Sequence, residues 1–153
     1  MNISIGSDHA GFELKEDIKK YLAENGFEVR DSGAHDKGSC DYPDYALEVA
    51  ESVASGESER GILICKTGIG MAIAANKVPG IRAALCKDEE TAKLSRAHND
   101  ANVLALEGDM KHSDARGIVK VWLATDFTND RHSRRIGKIH DIEKKYSRPS
   151  RMG

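Results

Sequence analysis

The chain has 153 residues, with 23 Lys and Arg against 25 Asp and Glu, a formal net charge of −2, and 39% hydrophobic and 31% charged residues. This is the size and make-up of one soluble globular domain, able to bury roughly 70% of its unfolded surface without a disulfide or metal staple. The near-neutral balance argues against a protein governed by nucleic-acid electrostatics, and charges interrupt every apolar run before the ~18 residues that a membrane helix needs.

In chain order, Ile3-Ser4-Ile5 reads as a short first strand, not as a signal peptide, because no basic or long apolar region surrounds it. Leu14, Ile18, Tyr21 and Leu22 recur at the spacing of one helix face over 11–24, and Asn25-Gly26 stops that helix. Phe27-Glu28-Val29 predicts a second strand. Pro43 suits the first turn of a helix whose inner face is Ala46, Val49, Ala50 and Val53 and which ends at Gly56. Gly61-Ile62-Leu63-Ile64-Cys65 is continuously apolar, as a central parallel strand buried on both faces should be. Residues 81–86 and 101–106 predict two more strands, with a helix from about Asp88 to Ala97 between them. A helix at 113–124 presents Ile118, Val119, Trp122 and Leu123. A last helix, about 132–146, presents Ile136, Ile139 and Ile142.

Strands alternating with helices imply a single three-layer α/β/α domain over 1–153, with a Rossmann-like parallel five-stranded sheet covered by helices on both faces. Residues 131–153 form a basic C-terminal helix and tail of net +6, against −8 for the rest of the chain. The default for such a stretch is a solvated face; an anion site or a nucleic-acid arm are the alternatives. The three cysteines, Cys40, Cys65 and Cys86, are odd in number and form no Cys-x-x-Cys pair, which points to a reducing cytoplasm.

Ligands of open parallel sheets bind beyond the carboxyl ends of the strands, so the residues flanking the strands carry the chemistry. Gly6-Ser7-Asp8-His9-Ala10-Gly11 follows the first strand and Cys65-Lys66-Thr67-Gly68-Ile69-Gly70-Met71 the third; His98-Asn99-Asp100 precedes the fifth. These groups are expected to gather along one edge of the sheet. Thr67-Gly68-Ile69-Gly70 is neither a P-loop nor a full dinucleotide fingerprint. It allows a tight turn whose free N–H groups favour an anion, and a thiol at that place has its thiolate stabilised. Cys65 therefore suits proton abstraction next to a carbonyl, or nucleophilic attack. Cys40, in a polar loop, and Cys86, at another strand end, read as structural. Asp8 as a helix cap, His9 on the surface and 98–100 as a helix stop are the plain alternatives. Arg131-His132-Ser133-Arg134-Arg135 is either a solvated helix start or a phosphate clamp. No His-x-x-x-His or His-Glu-x-x-His pair exists, so no metal site and no cofactor are expected.

Taken in order, Gly6-Ser7-Asp8-His9-Ala10-Gly11, Asp41-Tyr42-Pro43, Gly61 to Cys65, Thr67 to Gly70, Ala74-Ala75-Asn76-Lys77, Gly80-Ile81-Arg82-Ala83, Ser95-Arg96-x-His98-Asn99-Asp100-x-Asn102 and Arg131-His132 resemble the type B ribose-5-phosphate isomerase family, which includes the galactose-6-phosphate isomerase subunits. The resemblance spans about residues 2–143. It implies a metal-free aldose–ketose isomerase acting on a phosphorylated sugar, with ribose 5-phosphate the default. Cys65 would be the base that moves a proton between C1 and C2. Thr67 and His98 would open the sugar ring, with Asp8 assisting at the ring oxygen. The backbone of Thr67, Gly68, Ile69, Gly70 and Met71 would hold the enediolate oxygen, and Tyr42 and Asn99 would touch sugar hydroxyls. His9, Arg131 and Arg135 would bind phosphate. The resemblance also implies a homodimer or tetramer whose active sites are shared between subunits, with no nucleic-acid or membrane partner. Relatives without the cysteine carry a glutamate where Met71 stands, so this chain resembles the cysteine branch.

Two positions depart from the family pattern. Lys66 replaces a small residue after the cysteine, and Asp109 stands where an arginine often follows the fifth strand. Lys66 is one possible partner for Asp109, and both are expected to bear on substrate choice. A hexose 6-phosphate or tetrose phosphate substrate, a cysteine-dependent hydrolase, and a non-catalytic sugar-phosphate-binding domain are the alternative readings.

Overall fold

The computed structural model describes residues 1–147. The end of the basic tail, 148–153, lies outside the described residues. The elements run β1 (Asn2–Ser7), α1 (Phe12–Glu24), β2 (Glu28–Asp31), α2 (Tyr42–Ala54), β3 (Arg60–Cys65), α3 (Ile69–Ala75), β4 (Ala83–Leu85), α4 (Glu89–Asn99), β5 (Val103–Glu107), α5 (His112–Ala124) and α6 (Arg131–Tyr146). The strands form one parallel sheet in the order β2-β1-β3-β5-β4. The strand sequence reverses direction across the sheet at β1 and β3, where clefts of such sheets take their ligands.

The continuously apolar strands are explained by burial on both sides. Ile3, Ile5, Ile62, Ile64, Leu104 and Leu106 pack against Leu14, Ile18 and Leu22 of α1 and against Ile118, Val119 and Trp122 of α5. The alternate residues Leu63, Cys65, Val103 and Ala105 face the other way, onto Ala46, Val49, Ala50 and Val53 of α2 and Met71 and Ala75 of α3. Cys65 is thus a member of the α2–α3 layer, and it is buried.

The strand expected at 81–86 shortens to Ala83–Leu85, an edge strand paired only with β5. The helix expected at 132–146 is present, but its apolar stripe is not an inner face. Ile136 is buried, whereas Ile139 is 41% and Ile142 60% exposed. Helical periodicity identifies a face, not its partner. Here α6 lies outside the two covering layers, anchored at its start to α4 and later by Glu143 accepting the Gly80 N–H at 3.1 Å. A groove of about 700 Å³, lined by Ile81, Arg82, Ala83, Ile139, Ile142 and Glu143 among others, separates it from β4.

Candidate active site

The carboxyl edge of the sheet carries the first cluster. β1 ends in Asp8-His9, and Asp8 is buried, with its Oδ1 accepting the Gly11 N–H at 3.0 Å. β3 ends at Cys65, and the chain turns through Gly68 at φ +76 to enter α3. A side chain on Gly68 would collide with Leu85 Cδ1 at 2.6 Å and Leu106 backbone at 3.0 Å, so the turn sits flush on β5. The Gly68 N–H points at the Cys65 Sγ, 3.2 Å away. The Ile69 N–H goes to Thr67 Oγ1 at 3.2 Å. The N–H groups of Gly70 and Met71 find no acceptor among the described residues. A thiolate at Cys65 and an oxyanion just beyond it would both meet donors already aimed at them. Tyr42 lies on the backbone of Gly70, so close that a Cβ there would stand 2.6 Å from its Cζ.

His9 is exposed beside this cluster. Its Nδ1 accepts the Cys40 N–H at 3.4 Å, which leaves the proton of the neutral ring on Nε2, free to donate outward. The loop cysteine read as structural is therefore a neighbour of His9, with its Sγ 3.8 Å from Nδ1. No local signal marks it, because the two residues lie in different loops. Cys86 is buried, and burial pushes its thiol above the ordinary range, as befits an inert structural cysteine.

The remaining expected residues are elsewhere, which corrects the expectation of one shared edge. His98 and Asn99 close α4, which runs from the carboxyl end of β4 back to the amino end of β5. Eleven residues of α-helix rise about 16 Å, so these side chains sit at the opposite edge from Cys65. Arg131 and Arg135 open α6 at that same far edge, where the Thr128 N–H donates to Ala97 O at 2.9 Å. Residues that precede a strand of a parallel sheet belong to its amino edge, a consequence of chain direction alone.

This second cluster is built firmly. Asp100 caps α4 in the left-handed region at φ +47, clamped by Arg96 at 2.8 Å and Arg82 at 3.4 Å. Arg82 Nε also donates to the Asn99 and Asp100 carbonyls. The His98 ring stacks on that of His132, centroids 4.2 Å apart. Arg131, Arg135 and Asn99 are exposed. Lys66 and Asp109 are both exposed, and no ion pair joins them among the described residues, so the pairing expected as a possibility is absent.

No group of three or more His, Cys, Asp or Glu side chains is arranged to hold a metal ion among the described residues. No helix among them is long and apolar enough to cross a membrane.

Known proteins resemble the chain over nearly its whole length. The ribose/galactose isomerase family profile matches residues 3–139. Ribose-5-phosphate isomerase B of Escherichia coli is 46% identical over 144 residues, covering 94% of this chain and 97% of that protein. The structure of Clostridium thermocellum ribose-5-phosphate isomerase B superposes with a TM-score of 0.95 at 55% identity, covering 96% of this chain and all of the other. The Mycoplasma genitalium ribose-5-phosphate isomerase B solved with bound ribulose-5-phosphate gives 0.89 at 44% identity, covering 94% and 96%. The chain belongs to the ribose/galactose isomerase family, and it is an isomerase.

Proposed function

We propose that this isomerase interconverts ribose 5-phosphate and ribulose 5-phosphate through an enediolate, with Cys65 as the proton-transferring base. The observation that carries the reading is the Cys65 turn, where Sγ receives the Gly68 N–H at 3.2 Å and two further N–H groups remain unpaired. In the forward direction the Cys65 thiolate takes the C2 proton of the open-chain aldose. The electron pair moves onto O1, where the Gly70 and Met71 N–H groups meet the charge. The thiol then returns the proton to C1 while the O2 hydroxyl proton passes to O1, so that O1 becomes a hydroxyl and O2 the ketone oxygen. Tyr42 lies where a sugar hydroxyl would pass, and Nε2 of His9 is free to donate to a phosphate oxygen. The substrate is supported by relatives, one of them solved with ribulose-5-phosphate.

Ring opening by His98, with Thr67 and the Asp8 carboxylate, and phosphate capture by Arg131 and Arg135 then require a second copy of the chain. Within one protomer the helix α4 separates His98 from Cys65. A homodimer that sets the amino edge of one copy against the carboxyl edge of the other completes two sites at once. Exposed apolar side chains accompany both halves: Ile69 and Ile73 beside the Cys65 turn, and Ile139 and Ile142 beyond the arginines. Such unpartnered apolar surface is what an interface between copies would cover.

The test is NMR of ribose 5-phosphate incubated with the protein in D₂O. Ribulose 5-phosphate carrying solvent deuterium at C1 is expected. Binding without exchange would leave a sugar-phosphate-binding domain, and faster exchange with a hexose 6-phosphate or with erythrose 4-phosphate would move the substrate.

A further inference from the structure

Resting on the reading of His98 as the ring-opening group, we propose that His132 is its positioning residue, a buried aromatic platform that fixes the plane of the His98 imidazole. The rings lie 4.2 Å apart and 18° from parallel, a stacked pair. His132 is buried while His98 is half-exposed. The side chain of His98 makes no hydrogen bond among the described residues, so the His132 face supplies its directional restraint.

The platform is itself fixed. His132 stands in the first turn of α6, where its N–H donates to Asp130 Oδ1 at 3.1 Å. Two residues after His98, Asp100 and its two arginines hold the end of α4. Burial, and after it the like charge of His98, keep the His132 imidazole below the ordinary histidine range; Asp130 opposes this, while Arg131 and Arg135 add to it. Near pH 7 the platform is therefore uncharged. A neutral ring stacks on His98 without repelling the positive charge that His98 gains when it accepts a proton.

The position also has a mechanical consequence. Arg131 precedes His132 and Arg135 follows one turn later. The phosphate clamp and the platform are parts of one short stretch of helix, so seating the phosphate and aligning the ring-opening base are one event.

The test compares His132→Ala, His132→Leu, His132→Phe and His98→Asn with the double variant His98→Asn/His132→Ala, using ribose 5-phosphate. His132→Ala and His132→Leu should lower kcat about 10- to 100-fold with KM within about twofold, the scale of misplacing a reacting group by about 1 Å. His132→Phe, which keeps a planar face, should recover most of the loss. The double variant should be no slower than His98→Asn alone, because the platform acts only through His98. If the alanine variant does not fold, the Leu and Phe pair decides the question. A kcat unchanged in His132→Leu overturns the proposal, as does a loss that Phe does not restore, a raised KM at unchanged kcat, or additive losses in the double variant. If His98→Asn matches the parent, the ring-opening role itself has failed; if His98→Asn is impaired while His132→Leu is not, only the platform has.

Discussion

Replacing Gly68 by alanine should cost the fold more than the same change at a second glycine of like conformation, because the two differ in what surrounds them. Both Gly68 and Gly26 adopt left-handed backbone, at φ +76 and +83. Holding an alanine there costs about 1–2 kcal/mol in either case. Around Gly26 a new Cβ meets nothing within 4 Å, so that cost is the whole effect. At Gly68 the Cβ would stand 2.6 Å from Leu85 Cδ1 and 3.0 Å from the carbonyl carbon and oxygen of Leu106. The leucine methyl can turn aside, but the Leu106 backbone belongs to a central strand paired on both sides and cannot. Overpacking of this kind adds about 1–3 kcal/mol, for a total of about 2–5 kcal/mol against about 1–2 kcal/mol at Gly26. Urea unfolding of both variants, with slopes compared to confirm that the unfolded states match, measures the difference. Activity should also fall in folded Gly68→Ala, because the strain displaces the N–H that faces Cys65. Equal destabilisation of the two variants would refute the reasoning, since it would mean that β5 does not back the turn.

Cys65→Ala should keep its fold and lose about 10²–10⁴ in turnover, the usual contribution of a general base; Cys40→Ala and Cys86→Ala should remain active in the same assay. Mixing inactive Cys65→Ala with inactive Arg131→Ala should restore activity as subunits exchange, and a strictly monomeric active species in sedimentation would exclude the shared site. Stability should fall between about pH 4 and pH 2 through Asp31. Burial raises its pKa, but the Lys15 ammonium at 2.7 Å, the Gly33 N–H and Lys19 outweigh that and hold it down to about 2. A carboxyl held low stabilises the fold above its unfolded pKa and loses that contribution as it is protonated. Screening by water leaves about 1–2 kcal/mol, which urea midpoints at pH 2 and pH 5 should show and Asp31→Asn should abolish.

Much of the fold was legible because each signal was local. Continuous apolar strands, helix faces at their period and Pro43 at a helix start place nine of the eleven elements close to where they occur. The strand at 81–86 shrinks because an edge position offers pairing on one side only, and the short helix α3 after the Gly68 turn is too brief to show a periodic face. The Cys65 turn was legible for the same reason, its residues being contiguous. What escaped depended on distance through space. The edge on which His98 and Asn99 fall follows from the direction of α4, and their position just before β5 already carried that information. The stacking of His132 on His98 joins two helices far apart in the chain, and nothing near either residue announces it. Cys40 beside His9 is a third case of the kind.

The strand order has a consequence for how the chain acquires its chemistry. β4 is made before β5 but borders the sheet only through it, so β5 must wedge between two strands already synthesised. The floor under Gly68 is Leu106, and the Cys65 carbonyl is tied down by the Gly108 N–H at 2.8 Å; both arrive with that last strand. An emerging chain therefore carries its thiol through synthesis without the wall that will shelter it, and a product truncated before Val103 lacks that wall altogether. The Cys65 turn is thus walled only once the sheet closes, and a chain truncated before Val103 is expected to leave this thiol more accessible to a thiol reagent than the full chain does.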